Sequence, residues 1–442
     1  MQIEVGLKAG DLLSLYHGTV TLASPTGLAV QDAHSDNSNE LICQPGQHLS
    51  LRASSSNLVL SGAHLPHNLK IGGHILISPG VNNGLIELAG QPGAVPPAKP
   101  AAAYCGRIKA LAQNDKLMLV LLCDLETYVQ GVLNSEVPAG FQLEAMKAQA
   151  ILARTYALNP RVSHAPDGFM VCDSYLCCQA FNGAAARLTP LQRQAITTTS
   201  NQILVFDGKP ALALFSACAG GHTESYENCF SDPVTQAFPP PAIPYLKGVP
   251  EGALPAGYPG EKAMRELFAL AAPATCDAWS QAFRWKMSFS SDALEGHMHH
   301  VIEELRKDPQ FSPFILPPQS SFFGHIERVQ IIDRGVAGTA KEMIIHTNKG
   351  PWTVKKELTI RNVFGNTDLK VKRLKSARVF FDHTFDRLGL LSKLEISGFG
   401  SGHGVGLQQT GAQGLALKGR SCEEILCHYY RGAAIATAPE KT

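Results

Sequence analysis

The chain has 442 residues, which is too long for one compact core of ordinary size and indicates two or three domains. Hydrophobic residues make up 45% of it, enough to bury a sizeable core, so the composition excludes a disordered protein. The formal net charge is +1, whereas proteins that bind nucleic acid by neutralising phosphates are usually more basic. We therefore expect no nucleic-acid partner.

The first 90 residues are predicted to form a strand-rich region. Apolar runs at 12–20, 49–53, 58–60 and 75–77 are separated by Gly, Asn, Ser and His turns. The chain starts at Met1 without a basic segment followed by an apolar core, so no signal peptide is predicted. Two explanations stay open: a cytosolic protein, or an exported one whose export segment is absent from this chain.

Residues 90–100 are rich in Pro and Ala and indicate a connector. After it, the continuous apolar run 117–123 predicts a strand buried on both faces, and the pattern at 142–158 predicts a helix with one apolar stripe. A second helix is predicted at 190–200, with Thr189 as its N-cap. A hairpin is expected from 203–206 and 211–215, turning at Asp207-Gly208.

Glu136 is a lone acid at the end of an apolar run, just before the predicted helix 142–158. We expect a strand-to-helix junction there, where apolar surroundings keep the carboxyl protonated so that it acts as a general acid. Lys147 and Arg154 are seven residues apart on one helix face and offer anion-binding groups. The pattern indicates an enzyme acting on a polar, partly anionic polymer. The alternative is an acid that only interacts with the helix dipole.

The 11 cysteines are an odd number, which argues against a full disulfide framework and favours a metal site plus buried thiols. His164, Cys172, Cys177 and Cys178 fall within fifteen positions and can make a tetrahedral zinc site. Buried free thiols or a single disulfide are the alternative. Seven other cysteines lie mostly in apolar runs and are expected in the core: Cys43, Cys105, Cys123, Cys218, Cys276, Cys422 and Cys427.

Further along, 233–260 predicts a long ordered loop, 291–307 a helix, and 328–333, 341–347 and 352–354 three strands. We therefore expect an inserted α+β subdomain at 270–375. The predicted fold class is α+β, with mixed strands and helices around a substrate cleft.

Short motifs then follow one another along the chain. They are residues 128–138, 144–150, 153–157, 215–223 and 402–414, the pairs Cys172-Asp173, Cys178-Gln179, Tyr245-Leu246, Ile425-Leu426 and Tyr429-Tyr430, and the single residues Gly183 and Val249. In this order, across about residues 100–432, they resemble the sporulation stage II protein D family, which includes lytic transglycosylases and amidase enhancers. The resemblance implies a catalytic domain at 101–265 and 376–435, flanked by the region 1–90 and interrupted by the subdomain 270–375.

The resemblance also implies roles for single residues. Glu136 matches the catalytic glutamate, and Lys147 and Arg154 match basic positions suited to the lactyl carboxylate of muramic acid. For Lys147, an ion pair with Glu144 on a solvated face is an equally weighted alternative. Substrate contacts are further expected from Ser216, Gly220, Gly221, Thr223, His403 and Gln409.

The family carries a zinc near its cysteine motif, which implies a structural zinc on the four residues named above. This chain departs from the family there, because Cys177 replaces a common His and one extra residue follows Cys172. At residues 400–402 this chain lacks a Trp that is common in the family. For His403, the alternative to a substrate contact is a purely structural role.

The expected function is that of a peptidoglycan lytic transglycosylase, which prefers glycan strands stripped of stem peptides and needs no cofactor for the chemistry itself. The alternative is a non-catalytic wall-binding protein that stimulates an amidase, and a weaker one is a cytosolic, zinc-stabilised protein. The expected partners are glycan strands and a cell-wall amidase. The expected location is the cell envelope, with the cytoplasm as the alternative.

Overall fold

A computed structural model gives the fold for residues 1–9, 14–32, 40–62, 65, 67–89, 102–113, 115–160, 164–183, 188–252, 257–258, 260–270, 273–365 and 373–439. The chain divides into two compact units. The first consists of Met1–Ala213 and Ile435–Thr442, and the second of Leu214–Ala434. The predicted connector at 90–100 lies outside the described residues. The three-domain division expected from sequence stays a prediction.

Strands dominate the first unit. They are β1 (Gln2–Leu7), β2 (Tyr16–His17), β3 (Val20–Ala23), β4 (Leu28–Asp32), β5 (Leu41–Cys43), β6 (His48–Ser54), β7 (Asn57–Ser61), β8 (Leu69–Gly72), β9 (His74–Pro79), β10 (Leu85–Ala89), β11 (Ala102–Cys105), β12 (Arg107–Gln113), β13 (Lys116–Asp124), β14 (Val171–Cys172), β15 (Gln202–Phe206), β16 (Lys209–Pro210) and, near the C-terminus, β26 (Ala434–Thr437). The strand-rich character expected of the first 90 residues is confirmed.

Two large sheets organise this unit. One has the strand order β14-β1-β13-β12-β9-β4-β5, with β2 on β13, and the other has the order β11-β10-β3-β6-β7-β8. In β13 six of nine residues are buried, because both faces of this central strand are covered, as the unbroken apolar run predicts. A small third sheet, β16-β15-β26, includes the C-terminal strand.

Three helices of the first unit are described: α1 (Leu125–Glu136), α2 (Leu143–Leu158) and α3 (Pro190–Thr198). The last two confirm the predicted helices at 142–158 and 190–200. Thr189 caps α3 in a full capping box with Gln192, and Pro190 occupies the first turn, where its missing N–H costs nothing. Helix α2 packs between α1, α3 and β15, so most of its residues are buried.

The second unit mixes helices and strands more evenly. Its elements are β17 (Phe215–Ser216), α4 (Tyr226–Cys229), α5 (Glu261–Ala269), β18 (Arg284–Ser290), α6 (Ser291–Lys307), β19 (Ile315–Leu316), β20 (Ile326–Arg334), β21 (Ala340–Thr347), β22 (Trp352–Lys355), α7 (Glu357–Asn362), β23 (Val379–Phe385), β24 (Leu391–Phe399), β25 (Leu407–Gln408), α8 (Gln409–Leu417) and α9 (Cys422–Tyr429). Helix α6 and strands β20, β21 and β22 confirm the elements predicted between 291 and 354. The α+β fold class is thereby confirmed.

The main core of the second unit lies between α6 and two sheets, β18-β24-β23 and β19-β22-β21-β20. Leu294, Met298 and Ile302 recur at every fourth position of α6 and are at most 1% exposed. This stripe packs into one cluster with apolar residues of both sheets, including Trp352 and Phe289. Burial of the stripe explains why a helix with so many charged residues is stable here.

Several local predictions need correction. The run 12–20 is not one strand, because β2 and β3 are separated by a turn, and residues 10–13 lie outside the described part of the chain. The predicted 203–215 hairpin has a tighter turn, in which Asp207 (φ 49°) and Gly208 (φ 72°) form a two-residue connection directly into β16. Strand β1 was not predicted. Among the described helices, none combines the length and the hydropathy that a membrane span requires.

Candidate functional site

Glu136 is the last residue of α1, so the strand-to-helix junction expected there is wrong. The helix starts at Asp124, whose Oδ1 accepts from the backbone N of Thr127 at 2.9 Å, and Glu126 in the first turn complements the dipole. It ends where Val137 adopts an extended conformation, as a residue before proline prefers. Asp124 and Glu126 are the helix-start signals that identify α1 in the sequence.

The Glu136 side chain is half-buried, and its Oε1 accepts a hydrogen bond from the backbone N of Ala180 at 2.6 Å. A backbone donor stabilises a carboxylate, whereas the carbonyl end of α1 disfavours a negative charge. Glu136 is thus held in a fixed position between two opposing electrostatic influences.

Segment 179–183 is fastened to α1 by several contacts besides Ala180. Gln179 donates from Nε2 to the Tyr128 hydroxyl at 3.0 Å, and the backbone N of Asn182 donates to Ser135 Oγ at 3.1 Å. The Phe181 ring stacks on Tyr128 with the ring centroids 5.1 Å apart. Gly131 makes room for this ring, because a Cβ there would lie 2.4 Å from a Phe181 carbon. These contacts fix the position of the Ala180 backbone amide, which donates the hydrogen bond to Glu136.

His164, Cys172, Cys177 and Cys178 come together, with their ligand atoms all within 4.8 Å of one another. His164 Nε2 lies 3.4 Å from the Sγ atoms of Cys177 and Cys178. In a tetrahedral zinc site with Zn–N and Zn–S bonds of about 2.0 and 2.3 Å, such N···S distances come to roughly 3.5 Å. The adjacent cysteines therefore both reach one position, and the cluster can hold a metal ion.

Local folding builds this cluster. Strand β14 pairs in parallel with β1, which places Cys172 beside Gly6. The backbone N atoms of Cys177 and Cys178 then donate to the carbonyl of Ser174, and this turn directs both thiols back toward Cys172. His164 is positioned by Phe169, whose ring stacks on the imidazole with a centroid separation of 4.9 Å.

The second His164 nitrogen, Nδ1, contacts Asp167 Oδ2 at 3.0 Å. A carboxylate in this position fixes the tautomer of a metal-binding histidine and leaves Nε2 as the ligand atom. Asp167 was not predicted from sequence, although its place three residues after His164 is a usable signal. The four-residue set thus fits a metal both by its donor atoms and by this outer contact.

Electrostatics within the cluster favour one thiolate. Hydrogen bonding with the Cys172 thiol lowers the pKa of Cys177 to about 3, and the same interaction raises the pKa of Cys178 and of His164. Within the cluster the thiol of Cys177 therefore deprotonates more readily than that of Cys178.

Arg154 is fully buried in α2. Its Nε and Nη2 donate to the two carboxylate oxygens of Glu126, each at 2.8 Å, and its Nη1 donates to the carbonyl of Gln202 at 2.8 Å. All three nitrogens are thus engaged within the protein, so a substrate carboxylate would have to displace Glu126. The geometry favours a role for Arg154 in joining α1, α2 and β15.

Lys147 forms the ion pair that the alternative describes. Its Nζ lies 2.7 Å from Glu144 Oε1 on the same face of α2, with the lysine side chain 23% exposed. Unlike Arg154, this cation remains accessible, so it can exchange its partner for another carboxylate at small cost. A substrate contact for Lys147 stays a prediction.

The other predicted substrate residues belong to the second unit, and several are engaged in its framework. Ser216 is buried, donates to Gln408 Oε1 at 2.9 Å and accepts from the backbone N of Gly404 at 3.1 Å. Thr223 is 1% exposed and accepts from the backbone N of Val249 at 2.7 Å. The Ser216 bonds join β17 to β25 and to the loop before it, and the Thr223 bond joins the segment after β17 to Val249.

Gly220 and Gly221 both have positive φ, at 68° and 104°. A Cβ on Gly220 would lie 2.6 Å from Phe399, and the backbone N of Gly221 donates to Asp277 Oδ2 at 2.9 Å. Both glycines are therefore required by the backbone itself. A contact of either with substrate stays a prediction.

His403 accepts a hydrogen bond at Nδ1 from the backbone N of Val405 at 3.0 Å, and its ring meets Phe230 edge-on with centroids 5.1 Å apart. Burial lowers the pKa of His403 to about 3, so the imidazole is neutral at ordinary pH. Gln409 is the half-buried first residue of α8. The cleft predicted between the helix after Glu136 and the 402–414 loop stays a prediction.

Buried acids of the second unit that the sequence did not predict include Glu224, Glu251 and Asp277. Glu224 accepts from the backbone N atoms of Ser225, Val336 and Ala337 and from Asn228 Nδ2, with distances between 2.8 and 3.0 Å. Burial raises its pKa, and it also raises the pKa of Glu251, which accepts from the Tyr429 hydroxyl at 2.9 Å. Asp277 holds Gly221. Single acids in a loop give no periodic signal that would predict such burial.

Two family models match the chain. Residues 113–206 match a model described as Stage II sporulation protein, and residues 233–406 match a domain of unknown function, DUF8618. The first match includes α1, α2 and the cluster of His164, Cys172, Cys177 and Cys178, and the second includes most of the second unit.

Relatives in known proteins agree with the first match. Stage II sporulation protein D of Bacillus subtilis is 28% identical over 328 residues, which cover 71% of this chain and 75% of that protein. The amidase enhancer of Bacillus subtilis is 25% identical over 314 residues, which cover 70% of this chain and 40% of the enhancer. An uncharacterised protein of Brachyspira hyodysenteriae is 28% identical over 338 residues, covering 75% of this chain and 72% of that protein. The match at residues 113–206 and these relatives support the similarity of this chain to the stage II sporulation protein D and amidase enhancer family.

Proposed function

We propose that this protein is a lytic transglycosylase that cleaves the glycan strands of peptidoglycan. Kinship with stage II sporulation protein D and with an amidase enhancer supports a function related to the cell wall. The observation that carries the finer proposal is the placement of Glu136, a half-buried acid at the end of α1 whose carboxylate is fixed by the Ala180 amide. The motif that contains Glu136, residues 128–138, lies within residues 113–206, which match the Stage II sporulation protein model.

One carboxyl group suffices for this reaction. Protonated Glu136 donates its proton to the glycosidic oxygen, so that the bond from the anomeric carbon to this oxygen breaks and the alcohol leaves. The 6-hydroxyl of the same muramic acid attacks the anomeric carbon and closes an anhydro ring, while the Glu136 carboxylate takes the hydroxyl proton. Ordinary glycosidases need a second carboxyl to attack or to activate water, which this internal nucleophile replaces.

Lys147 is the accessible cation of α2, and the sequence predicts that it contacts peptide-free strands. Removal of a stem peptide exposes the lactyl carboxylate of muramic acid, and Lys147 would exchange Glu144 for that group. We do not assign Arg154 to the substrate, because Glu126 and Gln202 occupy its donors. Ser216, Gly220, Gly221, Thr223, His403 and Gln409 are retained as predicted cleft residues.

For the metal, the donor set favours zinc, since one imidazole and three thiolates are the ligands of structural zinc sites. His164, Cys172, Cys177 and Cys178 would fill all four positions and leave none for water. The zinc would therefore stabilise the fold near Cys178 rather than take part in the cleavage. We expect about one equivalent of zinc in the purified protein by elemental analysis, and less than a tenth of an equivalent would refute the assignment.

Peptidoglycan as substrate places the protein in the cell envelope, and a cell-wall amidase is the partner that would prepare its strands. Fractionation of cells producing the protein tests this location. Recovery in the cytosolic fraction alone would favour the cytosolic alternative.

The decisive experiment compares wild-type protein with Glu136→Gln on purified glycan strands freed of peptides. We expect the wild type to release fragments with anhydro-muramic ends, identified by mass spectrometry, and the variant to release none while keeping its circular dichroism and thermal midpoint. Glu87→Gln, at an exposed strand position, is the matched control and should cleave normally. Full activity of Glu136→Gln would remove Glu136 from the mechanism, and reducing ends without an anhydro ring would show hydrolysis instead.

A second candidate is a wall-binding protein that stimulates an amidase without cutting glycan. The similarity to the Bacillus subtilis amidase enhancer favours it. The two functions separate in one measurement, because Glu136→Gln should still raise the rate of an amidase on intact peptidoglycan if stimulation needs binding only. A wild-type protein that stimulates the amidase yet releases no glycan fragments would support this second function over the first.

A further inference from the structure

An open groove of about 500 Å³ lies within the second unit, in the part of the chain matched by a domain of unknown function. One wall is the solvent face of α6 around Gly296 and His299, and another is the segment that leads into β20, with Phe323 and His325. The turn between β21 and β22, with Asn348 and Lys349, closes the third side. None of these residues belongs to the motifs discussed above.

The part of the lining formed by His299 and Phe323 is aromatic. The Phe323 ring stacks on His299 with a centroid distance of 5.8 Å and an interplanar angle of 16°, and it is tilted against buried Trp352 at 5.6 Å. Trp352 belongs to the main core, and Phe323 is one of the partly buried residues that pack against this core. Next to it, Phe322 is 74% exposed, so aromatic surface continues beyond the groove.

The rest of the lining carries oriented polar groups. His325 is fixed by Glu295, whose Oε2 lies 3.0 Å from Nδ1 and whose Oε1 accepts from the backbone N of Ile326 at 2.8 Å. Asn348 Oδ1 accepts from the backbone N of His325 at 3.0 Å, which leaves the side-chain amide nitrogen of Asn348 as a donor. Among the described residues, no hydrogen-bond acceptor is found for that nitrogen or for Lys349 Nζ.

These groups select a class of ligand. A flat aromatic face suits the apolar face of a pyranose ring, fixed donors suit hydroxyl and acetamido oxygens, and one unpaired cation suits a carboxylate. A metal does not fit, because no set of three or more ligand side chains with suitable spacing occurs at this groove in the described part of the chain. An open groove, unlike a closed cavity, also admits a polymer.

We propose that this groove is a non-catalytic binding site for the amino-sugar units of peptide-free glycan strands, with Lys349 taking the lactyl carboxylate. The proposal rests on the substrate class of the proposed function. A glycan strand repeats the same disaccharide, so a second site for it raises the affinity for long strands without adding to the chemistry.

Gly296 offers a clean test, because a Cβ at this position meets no atom within 4 Å and its side of α6 faces the groove. The variant Gly296→Phe fills the groove without touching the core. Glu304→Phe is the matched control, since it places the same side chain on an exposed position of α6 outside the groove. Lys349→Gln removes the cation. All variants carry Glu136→Gln, so that binding is measured without cleavage.

Affinity is measured by isothermal titration with peptide-free glycan strands and with N-acetylglucosamine oligomers, which lack the lactyl carboxylate. We expect Gly296→Phe to weaken binding of both ligands at least tenfold, Lys349→Gln to weaken binding of the strands alone, and Glu304→Phe to change neither. Unchanged affinities for Gly296→Phe, or no binding of either ligand by the parent, would overturn the proposal. Unchanged strand affinity of Lys349→Gln would overturn the carboxylate contact.

Cleavage separates this proposal from the proposed function. With Glu136 intact, Gly296→Phe should cleave short soluble fragments at the wild-type rate and lose activity only on long strands. If Glu136→Gln retained full cleavage while Gly296→Phe still lost binding, the catalytic role of Glu136 would be rejected. The proposal that the groove binds glycan would then be retained. Loss of short-fragment cleavage in Gly296→Phe would instead contradict a purely binding role.

Discussion

Arg154 and Lys147 lie seven residues apart on α2, and their surroundings give their charges different roles. Arg154 is 0% exposed and holds both carboxylate oxygens of Glu126, whereas Lys147 is partly exposed and holds one oxygen of Glu144. A buried pair loses much more free energy when one partner is removed, because the other charge is left without compensation. Exposed pairs on helices contribute little.

We therefore expect Arg154→Met to lower the free energy of unfolding by about 3 kcal/mol, and Lys147→Gln to change it by less than about 0.5 kcal/mol. Urea denaturation of both variants measures these values. Adding Glu126→Gln to Arg154→Met should recover part of the loss, since it removes the unpaired carboxylate. If Arg154→Met were as stable as the wild type yet bound glycan strands poorly, Arg154 would be a substrate residue after all.

At the scale of elements, two helical glycines differ in what surrounds them. Gly131 in α1 faces the Phe181 ring and the carbonyl of Gly183, at 2.4 and 3.0 Å from an added Cβ. Gly296 in α6 faces open space. Helix propensity favours alanine over glycine at both positions, so the packing alone decides the sign of each substitution.

We expect Gly296→Ala to raise the free energy of unfolding by about 0.5 to 1 kcal/mol, and Gly131→Ala to lower it by about 1 to 3 kcal/mol. Thermal or urea unfolding checks both. Because the Phe181 segment also carries Ala180, Gly131→Ala should disturb the hydrogen bond to Glu136 and reduce cleavage. A Gly131→Ala variant with wild-type stability and activity would mean that this segment does not position Glu136.

The His164 and cysteine cluster and Glu136 are joined by a short segment, since Cys178 is two residues before Ala180. If zinc anchors Cys178, its removal should loosen the segment and then the end of α1. We expect a chelator to speed hydrogen exchange at 164–182 and at the last turn of α1, while α6 keeps its protection. Cys177→Ser should behave like the chelated protein. Equal exchange with and without metal would separate the cluster from Glu136.

For the molecule as a whole, the sequence predicted elements best where one local signal was strong. The four-residue periodicity of α6, the capping box of α3 and the apolar run of β13 all correspond to observed elements. Helix α1 was missed because its apolar residues and Gly131 resemble a strand, and only Asp124 marks its start. The cysteine cluster was predictable from close spacing, whereas the engagement of Arg154 depends on Glu126 and Gln202, which are distant in sequence.

Stability in acid is also a property of the whole fold, because a buried histidine and buried carboxyl groups change the free energy of unfolding in opposite directions as the pH falls. His222 is 4% exposed, and burial lowers its pKa to about 4. Its Nδ1 donates to the carbonyl of Thr223 at 2.7 Å and its Nε2 accepts from the backbone N of Gly257 at 3.3 Å, an arrangement that requires the neutral ring. Burial raises the pKa of Glu224, Glu251 and Glu357, so these carboxyls take up protons more readily when folded.

The sign for His222 follows from proton uptake. Below pH 6.5, the ordinary pKa of histidine, His222 binds a proton in the unfolded chain. In the folded protein His222 stays neutral until the pH falls to about 4. The free energy of unfolding therefore decreases as the pH falls from 6.5 to 4. We expect His222 to cost the fold up to about 3 kcal/mol between those limits. The variant His222→Asn retains a donor for the Thr223 carbonyl and cannot titrate. Its free energy of unfolding, measured by urea denaturation, should lie below that of the wild type at pH 7 and approach or exceed it near pH 4. A difference between the two proteins that stays constant from pH 7 to 4 would show that His222 is not neutral and buried in solution. The carboxyl groups are common to both proteins, so their opposite contribution cancels in this comparison.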